Sequence, residues 1–164
     1  IPSSTGPMVV KLKEGDDESD FRYVRSREIG RLKGPKGLPI TKPPYSRITA
    51  INMNTGDHAW MKPHGNGPRK KIMQMGIEDP GPVGGRMSTG PLVTSSLLFV
   101  AQKDEGRNLL RAFDKETGEI ITAIELPETP WGTPMTYLSG GRQFIVLAIG
   151  EANKAKLIAL GLPN

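Results

Sequence analysis

The sequence predicts an all-β fold assembled from repeated four-stranded units, and three observations lead there. A pattern of the form Ala-x-(Asn/Asp)-x-x-Thr-Gly occurs twice, from Ala50 to Gly56 and from Ala112 to Gly118. Self-similarity with several short strands per copy points to a repeat architecture. From Pro91 onward, short runs rich in β-branched and aromatic residues alternate with Gly, Asn and Asp punctuation, which is the signal of an antiparallel meander. The longest apolar run, Phe144 to Ile149, is strand-sized and far too short to cross a bilayer. Four antiparallel strands make one blade of a propeller. The chain therefore reads as a sector of a β-propeller.

The elements follow in order. Residues 1–62 read as a partial, irregular first blade, with Met8–Leu12 and Phe21–Val24 as its first two strands and Arg47–Met53 and Asp57–Met61 as its last two. Residues 63–90 form a long Gly- and Pro-rich connector. A connector of that length inside a compact domain argues for a functional loop. Residues 91–125 supply a complete blade, its strands at Pro91–Thr94, Leu97–Ala101, Leu109–Phe113 and Glu119–Glu125, with the polar run Gln102–Asn108 as a loop. Residues 132–164 supply a last blade of three strands, Gly132–Tyr137, Arg142–Ile149 and Lys156–Leu160, and no fourth. An uncovered strand edge is an aggregation liability, so the chain is expected not to fold stably by itself. The missing strand is expected from far upstream in a longer polypeptide.

The repeated pattern has a local physical reason. Gly56 and Gly118 can take the positive φ that a tight strand reversal needs. Asn52 and Asp114 can hold that reversal by accepting bonds from neighbouring backbone amides. Ala50 and Ala112 are small and leave room for a bulky group from an adjacent sheet. Trp60, four residues after the first Thr-Gly, is the natural occupant, a large ring laid between blades. The second copy has Thr122 in the equivalent place, so the contact made there is expected to be weaker.

Composition excludes several classes. With no cysteine among 164 residues, neither a disulfide framework nor a thiolate metal site is available. The net charge of +5 is modest, aromatics are sparse, and the basic residues lie in Gly/Pro-rich loops. Nucleic-acid binding, which wants gathered basic side chains and stacking aromatics, is not expected. His58 and His64 are the two histidines, and a metal site would need both to converge with a carboxylate. Asp79, Asp104 and Glu105 show no regular oxygen-ligand spacing and read as solvated turns.

The extended pattern Ala-x-Asp-x-x-Thr-Gly-x-x-x-Trp resembles the tryptophan-docking motif of the eight-bladed quinoprotein dehydrogenases, which use pyrroloquinoline quinone (PQQ). Lys42–Ile51, Leu109–Asp114, Gly132–Tyr137 and Gly141–Val146 are similar to the C-terminal part of that family, closest to its membrane glucose-dehydrogenase-like branch. The resemblance covers about Gly37 to Pro163. It implies the C-terminal part of an enzyme oxidising an alcohol or sugar, with hydride passing to the quinone and electrons onward to ubiquinone or a cytochrome. It further implies calcium beside the PQQ, both held mainly by residues outside this chain. A periplasmic location follows, with an upstream segment as the place for any membrane anchor. In the family the loops at one face of the ring carry the cofactor. On that face Tyr45 and Trp131 are placed to flank a flat quinone, and Lys42 or Arg69 to meet its carboxylates. No catalytic residue is assigned. The chain departs from the family at Gly150-Glu151-Ala152-Asn153, where Gly-Gly is usual. A non-enzymatic propeller acting as a binding or scaffold module shares the docking motif and is the alternative.

Overall fold

The structure is a computed structural model that describes residues 1–162, with the backbone alone for residues 27–29 and 31. The strands in chain order are β1 (Pro2–Ser4), β2 (Met8–Glu14), β3 (Tyr23–Arg31), β4 (Ser46–Ile51) and β5 (His58–Pro63). A short helix, α1 (Arg69–Met73), follows. Then come β6 (Pro91–Val93), β7 (Leu97–Asp104), β8 (Arg107–Asp114), β9 (Ile120–Glu125), β10 (Pro130–Ser139), β11 (Arg142–Ile149) and β12 (Lys156–Gly161). The chain divides into two compact units, Ile1–Ser4 with Pro43–Asn164, and Thr5–Lys42.

Three antiparallel sheets make up the first unit, in the orders β1-β4-β5, β6-β7-β8-β9 and β10-β11-β12. The second and third follow chain order through short connections, whereas in the first only β4 and β5 are consecutive and β1 joins from the start of the chain. The unit is an all-β propeller sector. Strand alternation sends the side chains of the middle sheet to its two neighbours. On one face, Leu98, Val100 and Phe113 bury against Ile48 of β4, with Trp60 of β5 packed alongside. On the other, Ala101 and Leu110 bury with Leu126, Leu147 and Ile149. Val100, Leu110, Leu147 and Ile149 are at most 2% exposed, and each such side chain contributes roughly 1.5–3 kcal/mol by leaving water. The sheets also join where Thr89 bridges Gly132 in parallel.

The second unit is a hairpin of β2 and β3 with a register shift between Val10 and Leu12, followed by a single 3-10 turn at Pro35–Gly37. This overturns the reading of Met8–Leu12 and Phe21–Val24 as opening strands of the first blade. The residues that pair with β4 are Pro2–Ser4, a run too short and polar to announce itself as a strand.

Residues 63–90 are an ordered excursion rather than a structureless connector. The chain leaves β5, turns through α1, and returns beside its own start, where Gly84 N donates to Gly65 C=O at 2.9 Å and Gly85 N to His64 C=O at 2.8 Å. The return passes so close to β4 that a Cβ on Gly84 would stand 2.3 Å from Ser46 O. Only glycine fits there.

Candidate functional site

The repeated turn comes first, because it sets how the sheets meet. Asp114 Oδ1 accepts from Glu116 N at 2.9 Å and Thr117 N at 2.8 Å, and these amide bonds hold its carboxyl below the ordinary range. Asn52 Oδ1 accepts from Asn54 N in the first copy. Gly118 sits at φ +70, and a Cβ there would meet the Trp60 ring at 2.7 Å. The indole of one sheet thus lies against the bare Cα of the next sheet's turn, and its Nε1 donates to Lys115 C=O at 3.0 Å. The docking surface is the second glycine itself.

At the end of the sheets where β7 turns into β8 lies a cleft of about 260 Å³, lined by Arg86, Ser88, Lys103, Thr129, Trp131 and Glu151. Four separate stretches supply these residues: the returning arm of the 63–90 excursion, the end of β7, the passage from β9 into β10, and the β11–β12 connection. Their positions are tied by main-chain carbonyls. Ser88 Oγ donates to Pro130 C=O at 3.2 Å, and Gly150 N to Thr129 C=O at 2.8 Å. The indole Nε1 of Trp131 is buried without a hydrogen-bond partner.

Beneath the cleft, on the opposite face of β7, lies a buried polar network. Gln102 is 0% exposed and Asp104 4%. Gln102 Nε2 donates to the carbonyls of both His64 and Arg86, each at 3.2 Å, which are the two ends of the 63–90 excursion. Its Oε1 accepts from Arg111 Nη1 at 2.9 Å. Arg111 Nη2 reaches Asp104 Oδ2 at 2.6 Å, and Asp104 Oδ1 accepts from Asn66 N at 2.8 Å. His64, 1% exposed, lies 6.1 Å from Phe113, ring to ring. Burial, then the Arg111 charge, push its pKa down to about 4, against the opposing pull of Asp104. It is a neutral ring at neutral pH.

This network corrects the sequence reading of Gln102–Asn108 as a loop. Strands β7 and β8 run on to a two-residue turn at Glu105–Gly106. Gln102 and Asp104 are strand residues whose polarity is satisfied by a neighbouring sheet rather than by water. The residues that sequence reasoning missed, Arg86, Lys103, Gln102 and Arg111, carry no local signal, since each gains its meaning from a partner in another element.

The structure treats the sequence candidates differently. Trp131 lines the cleft, at the start of β10. Tyr45 is half-buried, its N–H donating to Val83 C=O at 2.8 Å. Lys42 is exposed and ends the other unit. Arg69 is committed to Asp79 through Nε at 2.7 Å and Nη2 at 2.5 Å, a pairing that, with the Gly81 amide, lowers the Asp79 pKa to about 2. Asp79 is thereby an ion-pair partner rather than a solvated turn residue. Asp104 is likewise buried in its network.

A quinone cofactor fits what the cleft offers, an indole beside two cationic side chains. A metal does not fit this chain alone, because no group of three His, Asp or Glu side chains gathers among the described residues.

Comparison with known proteins agrees with the sheet architecture. A family model described as "PQQ: Glucose/ethanol/alcohol dehydrogenase, beta-propeller domain" matches residues 8–145. The chain is 32% identical to the quinate/shikimate dehydrogenase (quinone) of Acinetobacter baylyi over 93% of its own length and 18% of that protein's. It is 32% identical to the quinoprotein glucose dehydrogenase of Escherichia coli K12 over 71% of its length and 14% of that protein's. Among solved structures, a europium-containing methanol dehydrogenase superposes with a TM-score of 0.53 at 20% identity, covering 91% of this chain and 22% of the other, which speaks for the fold. The chain thus spans less than a quarter of the proteins it matches. With its Trp60–Gly118 docking contact and its match from residue 8 to residue 145, this chain belongs to the PQQ-dependent dehydrogenase β-propeller family.

Proposed function

We propose that the chain is the C-terminal sector of a PQQ-dependent dehydrogenase that oxidises an alcohol or sugar, and that the cleft around Trp131 is its share of the cofactor-facing wall. The observation that carries this reading is the convergence of four separate stretches on one cleft, in a chain whose family is defined by that cofactor. When bound, the quinone supplies the hydride acceptor. The part of this chain is to bind and to shape. Trp131 offers an apolar ring face, and Tyr45 is proposed as a further contact. The Gln102 clamp fixes both ends of the excursion that delivers Arg86. The buried layer beneath closes that wall to water.

The catalytic base, calcium and most of the metal shell belong, in this proposal, to blades outside the chain. The division into 1–62, 63–90, 91–125 and 132–164 is part of the same proposal. So are a periplasmic location and electron transfer to ubiquinone or a cytochrome. The relatives' names, which include quinate, shikimate and glucose, support an alcohol- or sugar-like substrate.

The test is reconstitution of the full-length protein with the quinone and calcium, following dye reduction with a panel of sugars and alcohols. Turnover with any of them supports the proposal. Tight folding with no turnover on the whole panel favours a scaffold propeller.

A further inference from the structure

Both ends of the 63–90 excursion close on one residue, His64. Its carbonyl accepts from Gly85 N at 2.8 Å on the returning arm, from Gln102 Nε2 at 3.2 Å on β7, and from Ser46 Oγ at 3.0 Å on β4. Its N–H donates to Ser46 C=O at 3.1 Å, and Gly84 N donates to the neighbouring Gly65 C=O at 2.9 Å. Departing arm, returning arm, β4 and β7 therefore meet at a single peptide unit. The excursion leaves the sheets only when that junction comes apart.

The side chain at the junction is also the type that changes charge nearest to neutral pH. Its ring is 1% exposed, and neither nitrogen has a hydrogen-bond partner among the described residues. The charged groups acting on it come from two strands: Arg111 of β8 opposes a proton and Asp104 of β7 favours one. Asp104 is already committed to Arg111 Nη2 at 2.6 Å and to Asn66 N at 2.8 Å. From β4 the neighbour is Ser46, whose hydroxyl is taken by the His64 carbonyl, and β8 adds the Phe113 ring at 6.1 Å. An imidazolium here would be a buried charge beside a guanidinium, without an acceptor of its own. Burial first, then Arg111, hold the ring's pKa down to about 4. In water the same ring charges near its ordinary 6.5. Acid therefore favours any state in which this ring reaches solvent.

We propose that His64 is an acid-released catch for the 63–90 excursion: protonation of the ring opens the Ser46–His64–Gly85 junction and frees the returning arm from β4 and β7. Arg86 and Ser88 ride on that arm and line the cleft, so acid loosens one of its walls. The Arg69–Asp79 pair inside the excursion does not compete as the trigger, because Asp79 stays ionised down to about pH 2. The catch does not depend on what the cleft binds or on the dehydrogenase reading.

The experiment is amide hydrogen exchange on the full-length protein, corrected for intrinsic exchange chemistry, from about pH 7.5 to about pH 5.5. Protection of the His64, Gly84 and Gly85 amides is expected to fall roughly tenfold over that interval. These amides are expected to exchange faster than those of Leu147 and Ile149 in β11, and low urea should leave their rate unchanged, as local opening requires. His64→Leu is expected to remove the pH dependence. His64→Gln, which keeps a polar side chain and cannot titrate, repeats the test should the leucine variant not fold. The catch is overturned if the non-titrating variant loses protection with acid as the parent does. It is equally overturned if the excursion and β11 exchange together at every pH and urea concentration, because the only opening is then global unfolding.

Discussion

A single Cα decides how closely Trp60 can dock, because any side chain at residue 118 would occupy the plane of the indole. An alanine there would be pressed to 2.7 Å from a rigid ring and would also hold φ +70. Gly118→Ala is therefore expected to destabilise the full-length protein by roughly 1–3 kcal/mol, read as a lower denaturant midpoint. Thr122→Ala, at the exposed place where the second copy lacks its tryptophan, is expected to change that midpoint by less than about 0.5 kcal/mol. His64 makes the second argument at this scale. Its folded pKa is about 4 against an ordinary 6.5, so between those values the unfolded chain binds the proton more readily. Stability is complete above pH 6.5 and falls as pH drops toward 4, by about 3 kcal/mol in all. In His64→Leu that slope should disappear. Since neither ring nitrogen has a partner, the variant should be no less stable than the parent at neutral pH.

Among the elements, the β7–β8 pair shows where a chain's own pattern misleads. Alternation along β7 sends Leu98 and Val100 to the same face as Gln102 and Asp104. The face changes from apolar to polar halfway along the strand, and a polar run next to Glu105-Gly106 looks like the turn beginning early. What keeps it a strand is Arg111 across the ladder and the 63–90 excursion beyond, both outside any local window. The same arrangement predicts a mutational cycle. Arg111→Met strands Asp104 in a site where it is 4% exposed and should cost roughly 3–5 kcal/mol. Adding Asp104→Leu should recover much of that loss, although Asn66 and Gln102 then lose a partner each. Equilibrium unfolding of the four proteins measures the coupling. Strict additivity would show that the pair contributes nothing of its own.

For the molecule as a whole, the open edges decide behaviour. Among the described residues, β12 pairs only with β11, and β1 only with β4. Exposed apolar side chains such as Leu138 at 74% and Leu157 at 73% stand on the terminal sheet. The 164-residue chain produced alone is expected to associate, with no single cooperative melting transition; a monomer with one sharp, reversible melt would contradict this. Sequence alone determined the all-β class, the docking tryptophan and the turns of the two copies, because these rest on spacing and on chemistry within a few residues. Tertiary structure alone decided which glycine the indole meets, which short strand completes the first sheet, and that Gln102, Asp104 and Arg111 form a buried clamp under a cationic cleft. Those facts depend on which distant segments supply partners for charges and amides, and no local pattern encodes a partner forty residues away.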